Sequence, residues 1–224
     1  MSFATGPVGA VLFDLDGTLI DSAPDLAGAG NDMRLARGMA VLPLDHFRPM
    51  VGAGARGMVE RALGVQPQDA AFSELRDEFL ERYERRMTRD TRVFPGLLPV
   101  LAALRCRAVP WGIVTNKASR FSVPLVRALS LLADAATLVS GDTTPHAKPH
   151  PGPLLEAARR VGVEPRRCVY VGDDLRDVQA GSAAGMPTVA VRWGYLGSGA
   201  PIESWGADHV IDSPGQLLKL LEMA

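Results

Sequence analysis

The stretch AVLFDLDGTLIDS, from Ala10 to Ser22, places Asp14 and Asp16 one residue apart directly after an apolar run. Like charges held that close repel, and burying either carboxylate is costly without a partner. More acids follow a later apolar run: Asp173, Asp174 and Asp177 in VGDDLRDVQAG. Several carboxylates facing one another need a cation, and hard oxygen ligands with no His or Cys nearby favour Mg²⁺ over zinc. Mg²⁺ prefers one or two carboxylates, water and a phosphate oxygen. Lys148, in the loop GDTTPHAKPHPGP, and the hydroxyl of Thr115, in VTNK, can hold the remaining phosphate oxygens. Backbone N–H groups around Gly17 can add a nest for the anion. One aspartate is then free to attack phosphorus, and a second, two residues on, can protonate the leaving oxygen and later activate water.

These residues are spread over some 160 positions, so the fold must gather them. Short apolar, β-rich runs recur along the chain: VGAVLFD, AVPWGIVT, ATLVSG, RCVYVGDD, PTVAVRWG and ADHVIDS. Near-continuous apolar strands predict a sheet covered on both faces, hence a parallel one. The segments between them carry helical spacing. Leu154, Ala158 and Val161 share a face, with Gly162 as the stop; Val178, Gly181 and Gly185 mark a small-residue helix; Leu217, Leu218 and Leu221 belong to a closing helix. Pro124, within SRFSVPLVRAL, places the start of that helix near itself. Strand–helix alternation predicts an α/β, doubly wound, Rossmann-like domain. Asp14 and Asp16, Thr115 and Asn116, Lys148, and Asp173, Asp174 and Asp177 then all fall at strand ends along one edge, where ligands bind.

One interval does not fit that alternation. Residues 23–91 contain helical patterns and no good strand, although a single crossover needs only one helix. Phe72, Leu75, Phe79, Tyr83 and Met87 form one stripe, GARGMVERALG is a second amphipathic piece, and the Gly-rich part around Asp25 to Arg37 is weaker. The expected organisation is a core of residues 1–22 and 92–224 with an inserted helical domain over 23–91. Inside the insert, the Gly-rich turn and helix of VGAGARGMV offer an anion seat. Arg56 there is read either as an exposed helix arginine or as the partner of a substrate carboxylate.

Composition excludes several classes of function. The 224 residues are 47% hydrophobic and 22% charged, with a formal net charge of −1, so no global attraction to nucleic acid or anionic lipid is expected. The N-terminal apolar run is broken at Asp14 and has no basic flank, which predicts neither a signal peptide nor a membrane span. Cys106 and Cys168 make no metal spacing or disulfide framework. His46, His146, His150 and His209 have no ligand spacing, and most of them are expected at the surface. Trp193, Tyr195 and Trp205 are read as packing residues. The expectation is a soluble, cytoplasmic protein whose oligomeric state the sequence does not set.

With DLDGTLID, VTNK, the lysine of HAKPHPGP and VGDDLRDVQAG on the page, the chain resembles the haloacid dehalogenase superfamily, motif by motif and in order. The resemblance runs from Val11 to the C-terminal helix, and the helical insert resembles the family's cap domain. Within the superfamily the chain resembles phosphoglycolate phosphatases and N-acetylmuramic acid 6-phosphate phosphatases. The resemblance implies Asp14 as nucleophile, becoming an aspartyl-phosphate, and Asp16 as general acid/base and backbone-carbonyl ligand of Mg²⁺. It implies Thr115, Asn116 and Lys148 as phosphate-binding residues and Asp14, Asp16 and Asp173 as metal ligands. Asp177 becomes a supporting acid behind them. Asp174 stands where many relatives have Ser, so it is open whether it supports the site or only caps a helix. The family places substrate-selecting residues in the cap, which favours a selecting role for Arg56. The expected activity is Mg²⁺-dependent hydrolysis of a small phosphate ester, with 2-phosphoglycolate ahead of N-acetylmuramic acid 6-phosphate. A sugar phosphomutase is the more distant rival. Dehalogenases lack the second acid, so Asp16 argues against one, and a phosphate-sensing module is disfavoured because every catalytic position is filled.

Overall fold

The computed structural model describes residues 7–197 and 199–223; residues 1–6, where the N-terminal run begins, lie outside that range. The chain divides into two compact units. One comprises the described residues up to Ile20, Val93–Gly194 and those from Ala200 onward; the other comprises Asp21–Arg92 with Tyr195–Gly199.

The first unit is a six-stranded sheet. Its strands are β1 (Ala10–Phe13), β4 (Trp111–Val114), β5 (Thr137–Val139), β6 (Cys168–Gly172), β7 (Thr188–Val191) and β8 (His209–Ile211). All pairings are parallel and the order is β5-β4-β1-β6-β7-β8. Every residue of β1, β4, β6 and β7 is buried, which is why these runs are apolar throughout instead of alternating. Helices α5 (Leu98–Cys106), α6 (Ser119–Ala128), α7 (Gly152–Val161), α8 (Leu175–Ala183) and α9 (Pro214–Leu220) complete the unit. One core layer joins Leu154, Ala157 and Ala158 of α7 and Ala180 of α8 to Leu12, Val114, Val139 and Tyr170 of the sheet. Gly162, in the left-handed region, ends α7 as its position after Val161 predicts.

Pro124 does not start its helix. It lies inside α6, which begins five residues earlier at Ser119. The reason is a cap from elsewhere in the chain: Asp142 accepts the Ser119 N–H at 2.9 Å and the Ser119 hydroxyl at 2.8 Å. That fixed start offsets the backbone hydrogen bond a proline removes from a helix interior.

The second unit holds α1 (Ala23–Leu35), α2 (Leu44–Phe47), α3 (Gly54–Leu63) and α4 (Phe72–Glu84). Leu26, Met33, Phe47, Met58, Val59, Ala62, Phe79 and Tyr83 form its buried interior. The weak helical pattern at α1 has a packing cause. A Cβ on Gly28 would fall 1.9 Å from the Arg86 guanidinium, and one on Gly30 would fall 2.8 Å from the Phe47 ring. These glycines lower helix propensity by about 1 kcal/mol each, but the close approach of neighbours requires them. Two-residue strands β2 (Ile20–Asp21) and β3 (Arg92–Val93) pair with each other where the chain leaves and re-enters the first unit. They are too short to leave a pattern in the sequence. Tyr195 is buried, as expected of a packing residue, and groups with the helical unit.

Candidate active site

Strand order and register bring the polar residues together. β1 lies between β4 and β6, and the chain switches sides of β1 between β5 and β6, which makes a crevice at the carboxyl ends of these strands. Phe13 pairs with Ile113 on one side and Val171 on the other, so the three strands end nearly level. Asp14 follows β1, Thr115 follows β4 and Asp173 follows β6.

Lys148 is the centre of the cluster. Its side chain is only 3% exposed, and Nζ donates to Asp14 Oδ1 at 2.7 Å, Asp177 Oδ1 at 2.7 Å, the Tyr170 hydroxyl at 2.9 Å and the Val114 carbonyl at 3.0 Å. An ammonium has three protons, so four acceptors share them. Desolvation opposes its charge, but Asp14 and Asp177 outweigh that and hold its pKa above the ordinary lysine value. The loop that presents it is fixed by Asn116, whose side-chain amide donates to the Lys148 carbonyl and accepts its N–H, both at 2.9 Å. The side chain of Asn116 is thus committed to placing Lys148, and its main chain is what can meet a phosphate.

Asp14 is buried, and that burial pushes its carboxyl up to about 7; Asp177 and Asp16 add to the rise, against the pull of Lys148. Oxygens of Asp14, Asp173 and Asp177 lie within 4.8 Å of one another. Lys148 pairs with two of these three carboxylates, which leaves an excess of negative charge, and the donors are all hard oxygens. Such a set fits a hard divalent cation, which would also restore the ionised form of Asp14. Asp177 is already spoken for: Oδ1 faces Lys148 and Tyr170, and Oδ2 accepts the Asp174 N–H at 3.0 Å. Asp14 and Asp173 are therefore the pair that can face a cation. Thr18 donates its hydroxyl to Asp173 Oδ1 at 2.7 Å.

Asp174 caps α8. It accepts the Arg176 N–H at 2.9 Å, Asp177 returns the bond to its own N–H in a capping box, and Arg176 Nε pairs with it at 2.7 Å. Desolvation raises the Asp174 carboxyl, but the hydrogen bonds and charge of Arg176 together outweigh it and hold the group below its ordinary value. Thr115 is buried, and its Oγ1 accepts the Lys117 N–H at 3.1 Å, which leaves its own proton to donate. Asp16 is half-buried, and Lys117 Nζ donates to both of its oxygens at 3.0 Å. Arg56 is an exposed residue of α3 in the helical unit.

Four residues of this unit escaped sequence reasoning. Lys117 was in view in VTNK but carried no assignment. Tyr170 was hidden in the apolar run VYV, where a buried phenol is itself a sign of a polar partner. Thr18 and Gly194 act on Asp173 across more than 150 positions for the first, and 21 for the second, with no local signal.

The model of the haloacid dehalogenase-like hydrolases matches residues 8–185 of the chain. An N-acetylmuramic acid 6-phosphate phosphatase from Pseudomonas aeruginosa is 40% identical over 215 residues, covering 96% of this chain and 95% of that protein. A phosphoglycolate phosphatase from Xanthomonas campestris pv. campestris is 46% identical over 210 residues, covering 93% and 94%. A solved structure described as a predicted phosphoglycolate phosphatase from Haemophilus somnus superposes with a TM-score of 0.82 at 26% identity, covering 95% of this chain and 97% of that one. The chain belongs to the haloacid dehalogenase-like hydrolase family. Its relatives and its site chemistry make it a phosphoric monoester hydrolase. Among the described residues no helix is long and apolar enough to cross a membrane.

Proposed function

We propose that the chain is a Mg²⁺-dependent phosphomonoesterase that works through an aspartyl-phosphate on Asp14, with 2-phosphoglycolate as its substrate. The observation that carries this reading is the contact of Lys148 with Asp14 at 2.7 Å beside a second and third carboxylate. Lys148 holds Oδ1, which leaves Oδ2 of Asp14 to attack phosphorus. The phosphorus–ester oxygen bond breaks, and Asp16 gives its proton to the departing oxygen. Asp16 then takes a proton from water as that water attacks the phosphoryl group, and the bond to Asp14 breaks to release phosphate. Lys148, the Thr115 hydroxyl and main-chain N–H groups near Asn116 hold the phosphoryl oxygens. Asp14, Asp173 and the Asp16 carbonyl would hold Mg²⁺, which when bound offsets charge between the attacking carboxylate and the phosphate.

The inserted helical domain, residues 23–91, is the cap, and Arg56 is its selecting residue for a carboxylate on the substrate. N-acetylmuramic acid 6-phosphate is the second reading, favoured by 40% identity to relatives of that name over nearly the whole chain. Two unpaired thiols, Cys106 and Cys168, fit a reducing cytoplasm. The test is turnover of both esters and p-nitrophenyl phosphate, with and without Mg²⁺. A higher kcat/KM for 2-phosphoglycolate supports the first reading; a preference for the sugar phosphate selects the second; Mg²⁺-independent turnover refutes the cation. Arg56→Ala should depress kcat/KM for the carboxylated esters well beyond its effect on the aryl phosphate, and equal effects would remove Arg56 from selection.

A further inference from the structure

Asp173 is held from two loops, one after β1 and one after β7. Its carboxylate receives the Thr18 hydroxyl at 2.7 Å. A Cβ on Gly17 would fall 2.2 Å from Asp173 Oδ2, and a Cβ on Gly194 would fall 2.2 Å from Asp173 Cβ and 2.5 Å from Oδ2. The carboxylate therefore lies between two glycine backbones, one from the loop after β1 and one from the loop after β7. Trp193 ties these loops together: its indole N–H donates to the Thr18 carbonyl at 3.1 Å. The Trp193–Gly194 pair thus bonds the main chain of the segment that holds Asp173 Oδ1, and its own backbone closely approaches the Asp173 side chain.

We propose that Trp193–Gly194 is a positioning element of the cation site, which fixes the orientation of Asp173 and so favours Mg²⁺ over Ca²⁺. The proposal rests on the Mg²⁺ reading above. Mg²⁺ demands near-ideal octahedral geometry at about 2.0–2.1 Å, whereas Ca²⁺ accepts more ligands at about 2.3–2.6 Å in a flexible arrangement. A carboxylate confined by two backbones and one hydroxyl has little room to swing outward or turn to offer both oxygens. Confinement of that kind suits the smaller ion. Groups that orient a metal ligand without touching the metal are worth about 10–100-fold in affinity.

The test is calorimetric binding of Mg²⁺ and of Ca²⁺ to the full chain, with thermal unfolding in chelator as a control on folding. Trp193→Phe keeps a ring and loses the N–H; Thr18→Val keeps the shape and loses the hydroxyl; Gly194→Ala drives a methyl into the carboxylate. Each should weaken Mg²⁺ about tenfold or more and Ca²⁺ much less, so that selectivity falls while unfolding in chelator changes little. If Gly194→Ala does not fold, the other two variants decide. Parallel losses for both ions, or no loss for either, would overturn the proposal. Asp173→Asn separates the two levels. If the native chain binds no Mg²⁺, or if the Asp173→Asn variant binds it as tightly as the native chain, the Mg²⁺ reading fails and takes the proposal with it.

Discussion

Asp14 in the sheet unit and Asp25 in the helical unit are both buried aspartates, and they are built for opposite ends. Asp25 is surrounded by donors. Its Oδ2 accepts the Asp90 N–H at 3.0 Å, the Thr91 N–H at 2.9 Å and the Thr91 hydroxyl at 2.8 Å, and Arg86 lies 3.7 Å from its other oxygen. Asp14 has one lysine and a ring of other acids, and burial pushes its carboxyl up to about 7. The first arrangement uses the charge to hold two distant stretches of chain. The second leaves charge unbalanced until a cation and a phosphate arrive. A buried acid is therefore no sign of catalysis by itself; the sign is a buried acid whose neighbours are also acids.

The largest contrast between them should come from removing each. Asp14→Asn should lower kcat by roughly 10⁴-fold or more, the scale on which losing a nucleophile disables other hydrolases, with the fold retained. Asp25→Ala should do the reverse. It strands the Thr91 hydroxyl and two N–H groups and takes a partner from Arg86, so stability should fall by about 3–5 kcal/mol while folded molecules keep turning over. Denaturant titration and steady-state rates on the two variants check both, and a catalytic loss in Asp25→Ala without unfolding would erase the distinction.

A smaller effect lies in pH. Without a divalent cation the folded Asp14 carboxyl titrates near 7 against 3.8 as its ordinary value. Between those values the folded chain binds more protons than the unfolded one, so stability contributed by this group is lost as pH rises from about 4 to 7. In chelator the native chain should lose stability relative to Asp14→Asn across that window, and Mg²⁺ should abolish the trend. A gap that stays constant with pH would contradict the rise at Asp14. The smallest effect belongs to the surface. The Arg37–Glu78 pair at 2.6 Å is about one-third exposed, and Arg37→Ala should cost no more than about 1 kcal/mol by denaturant titration.

What was legible in the sequence follows from how local each signal is. All six sheet strands appear where apolar runs stand, most clearly β1, β4, β6 and β7, because burial on both faces writes itself into consecutive residues. The stripe from Phe72 to Met87 likewise gives α4, with Phe79, Tyr83 and Met87 buried. Asp14, Lys148, Asp173 and Asp177 could be gathered because each follows a strand of one parallel sheet. The start of the helix around Pro124 is not legible because Asp142, 23 residues beyond Ser119, supplies its cap. Asp174 was left open because a capping box is visible only once Asp177 is seen to return the bond. Tyr170, Thr18 and Gly194 were missed because their partners are distant in sequence and their own positions look like ordinary strand, turn and loop.

The account turns on Asp14 as the atom that takes the phosphoryl group. Asp16→Asn should retain attack on p-nitrophenyl phosphate, whose leaving group needs little proton assistance, yet slow the activation of water. Acid quench of that variant with Mg²⁺ and p-nitrophenyl phosphate, followed by peptide mass spectrometry, should find a phosphoryl group on Asp14. Release of p-nitrophenol with the label on another residue, or with no phosphoenzyme at any quench time, would contradict it.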